Sequence, residues 1–252
     1  MTTAGATIAT LRAGAAPLED HRRVVAIDGP AAAGKTTVAR ALADRLGAML
    51  FDTGTLYRAV TLAALRAGVP VTDGAALAEL ADARHIEVTP PSTPDGRLYD
   101  VRLDGEDVTW PIRDPEVEAN VSDISAHPAV RAALLTAQRR IAGVGAVVMV
   151  GRDIGSTVVP DAGVKVFLQA SPEERARRRH AELVERGASA LYNDVLAELR
   201  ARDIIDSTRD ASPLRVAPGA TTIVTDGLSA EQVVDTIETL VRSVWGSVEE
   251  PA

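Results

Sequence analysis

The sequence contains no cysteine, which excludes disulfides, thiolate nucleophiles and Cys-ligated metals. Aromatic residues make up only 3% of it, so a core must be assembled from alanine, valine, leucine and isoleucine. No apolar run reaches the ~18 residues that a membrane-spanning helix needs. Positive charge is not in excess: 35 acidic residues face 27 basic ones, for a net charge of −8. A general nucleic-acid binder shows the opposite balance. Residues 1–21 lack the basic start and continuous apolar stretch of a secretory signal. They read as a disordered leader, residues 247–252 as a tail, and the remainder as a cytoplasmic protein. Lysine is almost missing, with Lys35 and Lys165 standing against 25 arginines.

What is present is a chain of 252 residues, enough for one large domain or one domain with an insert. Short apolar runs at 24–28, 48–52, 145–151, 164–170 and 221–225 read as strands. Helical spacing covers 36–46, 56–67, 74–83, 115–141 with a break at His127-Pro128, 190–207 and 229–244. A further helix runs to Glu185, with Ser171 as cap, Pro172 first and Glu174 closing a capping box. Strands alternating with helices imply an α/β fold with a mostly parallel sheet. Between residues 84 and 109 the texture changes to HIEV, RLYDVRLDG and EDVT around the loop PPSTPDG, a small antiparallel β insert.

Gly29-Pro30-Ala31-Ala32-Ala33-Gly34-Lys35-Thr36 matches the P-loop pattern G-x-x-x-x-G-K-[ST], with a strand before it and a helix after it. Glycines let the backbone wrap phosphate oxygens, N–H groups converge, and the helix N-terminus adds positive charge. Lys35 can reach the β- and γ-phosphates of a nucleotide, and the Thr36 hydroxyl can ligate Mg²⁺. A GTPase carries an N/T-K-x-D base-reading motif. This chain cannot, because Lys165 is followed by Val and Phe. A small-molecule kinase is the leading reading.

Four further groups point to a second anionic substrate. Asp52-Thr53-Gly54-Thr55-Leu56-Tyr57-Arg58 follows a strand and opens a helix, so its N–H groups and Arg58 can meet a phosphate; an ordinary capped helix has the same look. Gly151-Arg152-Asp153-Ile154-Gly155 sits at another strand end. Arg175, Arg178 and Arg179 share a helix face and fit either an arginine lid or a solvated face tied by Glu173, Glu174 and Glu182. Arg202, Asp206 and Arg209 share a second face and fit either sugar and phosphate recognition or a salt-bridge ladder. Phosphoryl transfer to an acceptor that is already a phosphate needs positioning and charge neutralisation more than a base.

IDGPAAAGKTT, FDTGTLYRA, GRDIG, SPEERARRR and RARDIIDSTR, in this order over about Arg23–Val244, closely resemble the bacterial cytidylate kinase family. The resemblance implies a P-loop NTPase-type five-stranded parallel sheet flanked by helices, with the β insert in a nucleoside-monophosphate-binding region of about 53–130 and a lid of about 171–190 in a kinase domain spanning 22–246. It implies transfer of the γ-phosphate of ATP to CMP or dCMP, with Mg²⁺, by a monomer. On that resemblance Gly29, Pro30, Ala31, Ala32, Ala33, Gly34, Lys35, Thr36 and Thr37 hold ATP, and Thr36 also the metal. Thr53, Gly54, Tyr57, Arg58, Arg131, Arg152, Asp153, Arg202 and Asp206 hold CMP. Lys35, Arg152, Asp153, Arg178 and Arg209 act on the transferring phosphate.

The chain departs from the family pattern in three places. Ala32 replaces a usual glycine, so its backbone is expected in a region that an L-residue tolerates. Ser156 follows Gly155 where Thr is more usual. Val150 replaces an often acidic residue before GRD, and this leaves Asp28 or Asp153 to help hold the water shell of Mg²⁺.

Overall fold

The computed structural model describes residues 21–246 except Pro90 and Val144. The leader expected over 1–21 and the tail over 247–252 therefore lie outside the described residues, save His21, which opens a 3-10 turn His21–Arg23 and bonds Asp161 at 3.0 Å. The described chain divides into two units, one of residues 53–143, the other of 21–52 with 145–246.

The second unit is built on five parallel strands. They are β1 (Val24–Asp28), β2 (Met49–Asp52), β6 (Val147–Gly151), β7 (Val164–Gln169) and β8 (Thr221–Val224), in the order β2-β6-β1-β7-β8. All five residues of β1 and of β6 are buried, as central strands covered on both faces must be. Helices α1 (Lys35–Leu46) and α8 (Ala230–Trp245) close one apolar cluster. There Val38 and Leu42, with Val234, Ile237 and Val241, join Ile27, Val150, Val166 and Leu168 of the sheet. Helices α6 (Pro172–Glu185) and α7 (Tyr192–Thr208) form a smaller cluster through Ala176, Val195 and Leu199, which includes Ala31 of the loop after β1. Because the strands are parallel, the segments leaving β1, β2, β6 and β7 emerge at one edge of the sheet, where such folds bind ligands.

The first unit holds α2 (Gly54–Ala67), α3 (Gly74–Ala83), α4 (Pro115–Ala126) and α5 (Pro128–Ala142), with a separate sheet β3-β4-β5. That sheet is antiparallel and comprises Ile86–Thr89, Asp100–Leu103 and Glu106–Asp107. α2 packs against α4, and α3 against α5. In the insert Arg97 gathers Asp95, Asp100 and Asp107 at 2.8–2.9 Å.

Most element ends fall within a residue or two of the expected ones. The capping box is an exception. Ser171 accepts from the Glu174 amide at 3.3 Å, but the Glu174 carboxylate turns to Arg177 and Arg178. The amide of Ser171 donates instead to Asp226 at 3.0 Å. The reciprocal box belongs to α8, between Ser229 and Gln232.

The loop 29–34 carries the local cost of this architecture. Gly29, at φ 148°, lies so close to β7 that a Cβ there would sit 2.2 Å from the Leu168 carbonyl oxygen. Ala32 adopts φ 58°, the left-handed region, rather than the conformation expected of an L-residue. That costs about 1–2 kcal/mol. Ala32→Gly removes the strain and loses part of the gain to the freer unfolded chain, so we expect about 0.5–1 kcal/mol of added stability. Urea denaturation measures it; a less stable variant would contradict the strained backbone.

Candidate functional site

The loop after β1 has the form of a phosphate cradle. Gly29, Ala32 and Gly34 all have positive φ, at 148°, 58° and 89°, the kind of alternation that turns successive amides inward. The loop runs into the N-terminus of α1. Lys35 there is buried and donates from Nζ to the Pro30 carbonyl at 2.6 Å. Burial holds the Lys35 ammonium well below its usual pKa, Arg152 pushes in the same direction, and Asp52 and Asp206 oppose them. An arriving polyphosphate would supply the opposite charge this buried site lacks and so favour the ammonium form of Lys35. Thr36 donates its hydroxyl to Asp52 Oδ2 at 3.4 Å.

The loop is braced from α6. Arg175 is buried and grips Asp203 of α7 through two bonds, 2.9 and 2.5 Å, and also donates to the Ala31 carbonyl at 3.3 Å. This corrects the grouping of Arg175 with a mobile arginine face: the spacing is helical, but Arg175 points inward and locks α6, α7 and the loop together. Arg178 pairs with Glu174 and donates to the hydroxyl and carbonyl of Thr225 at 3.1 and 2.7 Å. Its Nη1 would be 3.7 Å from a Cβ on Gly34, so it lies against the cradle. Arg179 pairs with Glu182 at 2.9 Å.

The segment after β6 forms the next wall of the second unit. Gly151 ends β6, and a π-helical turn, Ile154–Val158, comes next with Asp153 at its cap position. Asp28, buried at the end of β1, accepts from the amides of Ile154 and Gly155 at 2.8 Å each, one on each carboxylate oxygen. Asp28 is thus a clamp on this turn, with one amide on each carboxylate oxygen. Asp206 of α7 accepts from Arg152 Nε at 2.8 Å and from Arg209 Nη1 at 3.4 Å. Burial would raise its pKa, but Arg152 first, then Arg202 and Arg209, hold it below the usual range. The Arg–Asp–Arg arrangement read from α7 alone therefore takes its closest arginine from the β6 turn. The resulting group has one anion among three cations, a net positive surface suited to a phosphate ester.

In the first unit Tyr57 and Arg58 lie on α2. The guanidinium of Arg131 stacks over the Tyr57 ring at 5.2 Å and donates to the Ser125 carbonyl at 3.1 Å. Gln138 donates to the Tyr57 hydroxyl at 3.3 Å, and Thr55 donates to the Tyr99 hydroxyl at 2.8 Å. Arg58 forms an ion pair with Glu118 of α4. Thr53, at the cap position of α2, is buried. Thr53, Gly54, Tyr57, Arg58 and Arg131 thus belong to one unit, while Arg152, Asp153, Arg202 and Asp206 belong to the other with the P-loop. Sequence reasoning missed Glu118, Asp203 and Gln138, whose partners are too distant in sequence to leave a periodic signal. It passed over Asp52, although the strand-end position was a usable sign.

The donor set fits a hard cation that arrives with a nucleotide. No group of three or more His, Cys, Asp or Glu side chains able to hold a metal occurs among the described residues. One hydroxyl and one carboxylate at the cradle suit Mg²⁺, which keeps several waters and takes most other ligands from phosphates.

The family model described as cytidylate kinase matches residues 25–243. A cytidylate kinase of Herpetosiphon aurantiacus is 51% identical over 213 residues, covering 84% of this chain and 91% of that protein. A cytidylate kinase of Mycobacterium avium is 50% identical over 220 residues, covering 87% of this chain and 95% of that protein. A bifunctional pantoate ligase/cytidylate kinase of a Synechococcus strain is 46% identical over 241 residues, covering 93% of this chain and 49% of that protein.

The Asp28 clamp has a pH signature. Burial pushes its carboxyl up to about 6, with the two amide bonds and Lys35 opposing and Asp153 adding to the rise. Between its unfolded value near 4 and about 6, the folded protein holds more of this proton than the unfolded chain does. Asp28 therefore gains stability for the fold as pH falls through that window and contributes a constant term above it. Relative to Asp28→Asn, the unfolding free energy of the wild type should improve by about 2 kcal/mol between pH 7 and pH 4. Urea denaturation of both proteins at pH 7, 6, 5 and 4 checks this; a parallel pair of pH curves would contradict it.

Proposed function

Because the chain belongs to the cytidylate kinase family, we propose a division of labour among its residues in an enzyme that transfers the γ-phosphate of ATP to CMP or dCMP, giving ADP and CDP or dCDP. The observation that carries the proposal is the buried, weakly compensated Lys35 at the head of α1, set in a loop of turned amides at the sheet edge that also bears Asp52 and the Asp28-clamped turn. Gly29 to Thr37 take the phosphates of ATP through their amides, the Lys35 ammonium and the Thr36 hydroxyl. Mg²⁺, held beside Thr36, supplies charge neutralisation on the phosphates when bound.

The acceptor is a phosphate monoester. Its second ionisation lies near pH 6, so at neutral pH it carries a nucleophilic oxygen without help from a base. The forming bond joins that oxygen to the γ-phosphorus, the bond to the β–γ bridging oxygen breaks, and ADP leaves with the electron pair. The protein's work is alignment and charge. We assign Thr53, Gly54, Tyr57, Arg58, Arg131, Arg202 and Asp206 to CMP, with Asp206 accepting from sugar hydroxyls. We assign Arg152 and Asp153 to CMP and the reacting phosphate together. Arg178 and Arg209 neutralise the transferring group. Residues 53–130 serve as the monophosphate-binding region and 171–190 as the lid. The ion pairs Arg58–Glu118 and Arg178–Glu174 hold cations that exchange a carboxylate for a phosphate when substrate arrives. We further propose that the enzyme works as a monomer in the cytoplasm, in pyrimidine nucleotide metabolism. No described helix is long and apolar enough to cross a membrane.

ADP release with ATP and Mg²⁺ should be stimulated by CMP and dCMP well above AMP, UMP or shikimate. Arg131→Ala should abolish the stimulation, at a cost of about 100-fold or more in kcat/KM, while ATP affinity stays within about twofold. Equal stimulation by all acceptors, or loss of ATP binding in the variant, would contradict the assignment.

A further inference from the structure

We propose that Asp52 is the carboxylate that, with Thr36, secures the divalent cation accompanying ATP. The inference rests on the kinase reading above and assigns the metal side of that site. The sheet register explains why the role falls to Asp52. Asp52 of β2 is paired with Val150 of β6, and Val150 with Ile27 of β1. Residues in register across a parallel sheet face the same side. Val150 and Ile27 both lie in the apolar cluster formed with Val38 and Leu42 of α1, so this row faces α1, whose first turn carries Thr36. Val150 is buried and apolar and brings no carboxylate to the row. Asp52, its neighbour on the edge strand, does.

Two neighbouring acidic side chains of this sheet edge have work elsewhere, and Asp153, the remaining one, is the alternative that the cleavage test below separates from Asp52. Both oxygens of Asp28 hold amides of the 154–155 turn. Asp206 is bound to Arg152 and Arg209. Asp52, only partly buried, takes the Thr36 hydroxyl proton at 3.4 Å. A hydroxyl donating to a carboxylate keeps its lone pairs for a cation. The carboxylate adds the negative charge and outer hydrogen bonding that a strongly hydrated divalent ion requires. Asp52 acts as a positioning residue for the metal, not on the reacting phosphorus.

Mn²⁺ is the probe, titrated by electron paramagnetic resonance against the full-length protein saturated with a non-hydrolysable ATP analogue. Asp52→Asn should weaken Mn²⁺ at least about tenfold, while analogue affinity measured in EDTA stays within twofold of wild type and the thermal transition is retained. Unchanged Mn²⁺ affinity in a folded variant overturns the proposal. A wild-type complex that binds the analogue but no Mn²⁺ overturns it too, and with it the metal-dependent kinase reading; the first failure leaves that reading intact. Should the variant not fold, Fe²⁺ loaded into the wild-type complex with ascorbate and peroxide gives a second reading. Backbone cuts are expected at 35–37 and 51–53, and cuts at 35–37 with 152–154 in place of 51–53 overturn the assignment.

Discussion

Asp28 grips the amides of Ile154 and Gly155 from the end of a central strand, and the arrangement of the loops at that edge of the sheet depends on that grip. A carboxylate at this depth is costly to keep ionised, and its raised pKa reflects it. In return two loops that belong to different strands are fixed to one another. The P-loop starts one residue after Asp28, and Arg152 and Asp153 immediately precede the clamped amides. Register alone would set β1 beside β6; the clamp orders the loops that leave them. Arg175 performs the matching task on the other flank, joining the Ala31 carbonyl to α6 and α7.

Charge is distributed unevenly around that edge. Lys35 is buried with its ammonium on a carbonyl, and Arg152, Arg202 and Arg209 crowd a single Asp206. Such an excess of buried or half-buried cations works against the fold in the absence of anions. An anion entering this edge would give each cation a charge-assisted partner in a poorly solvated place. With an overall charge of −8, the rest of the protein offers little to long polyanions.

The P-loop, the alternation of strands and helices, and the insert were legible in the sequence because each rests on local chemistry. Apolar runs end at glycine or proline, and the cradle needs its glycines and its lysine within eight residues. The pairings were not legible. Arg175 looked like part of a surface stripe because helical spacing says which residues share a face, not how deep that face lies. Asp206 found Arg152 54 residues away, beyond any helical period. Glu174 satisfied the capping pattern but was drawn to two arginines on its own helix. Ala32 took a left-handed backbone although it is not glycine, as the tight turn between β1 and α1 passes through that region there. Val150 looked like a loss; the register with Asp52 shows a carboxylate one strand further out on the same face.

Whether this edge transfers a phosphoryl group between nucleotides, rather than releasing it to water, is tested most directly by phosphorus NMR of the enzyme with ATP, CMP and Mg²⁺. The α and β resonances of CDP are expected to grow in step with those of ADP, with no separate build-up of inorganic phosphate. Inorganic phosphate appearing at the rate of ADP formation, with CMP unchanged, would contradict transfer.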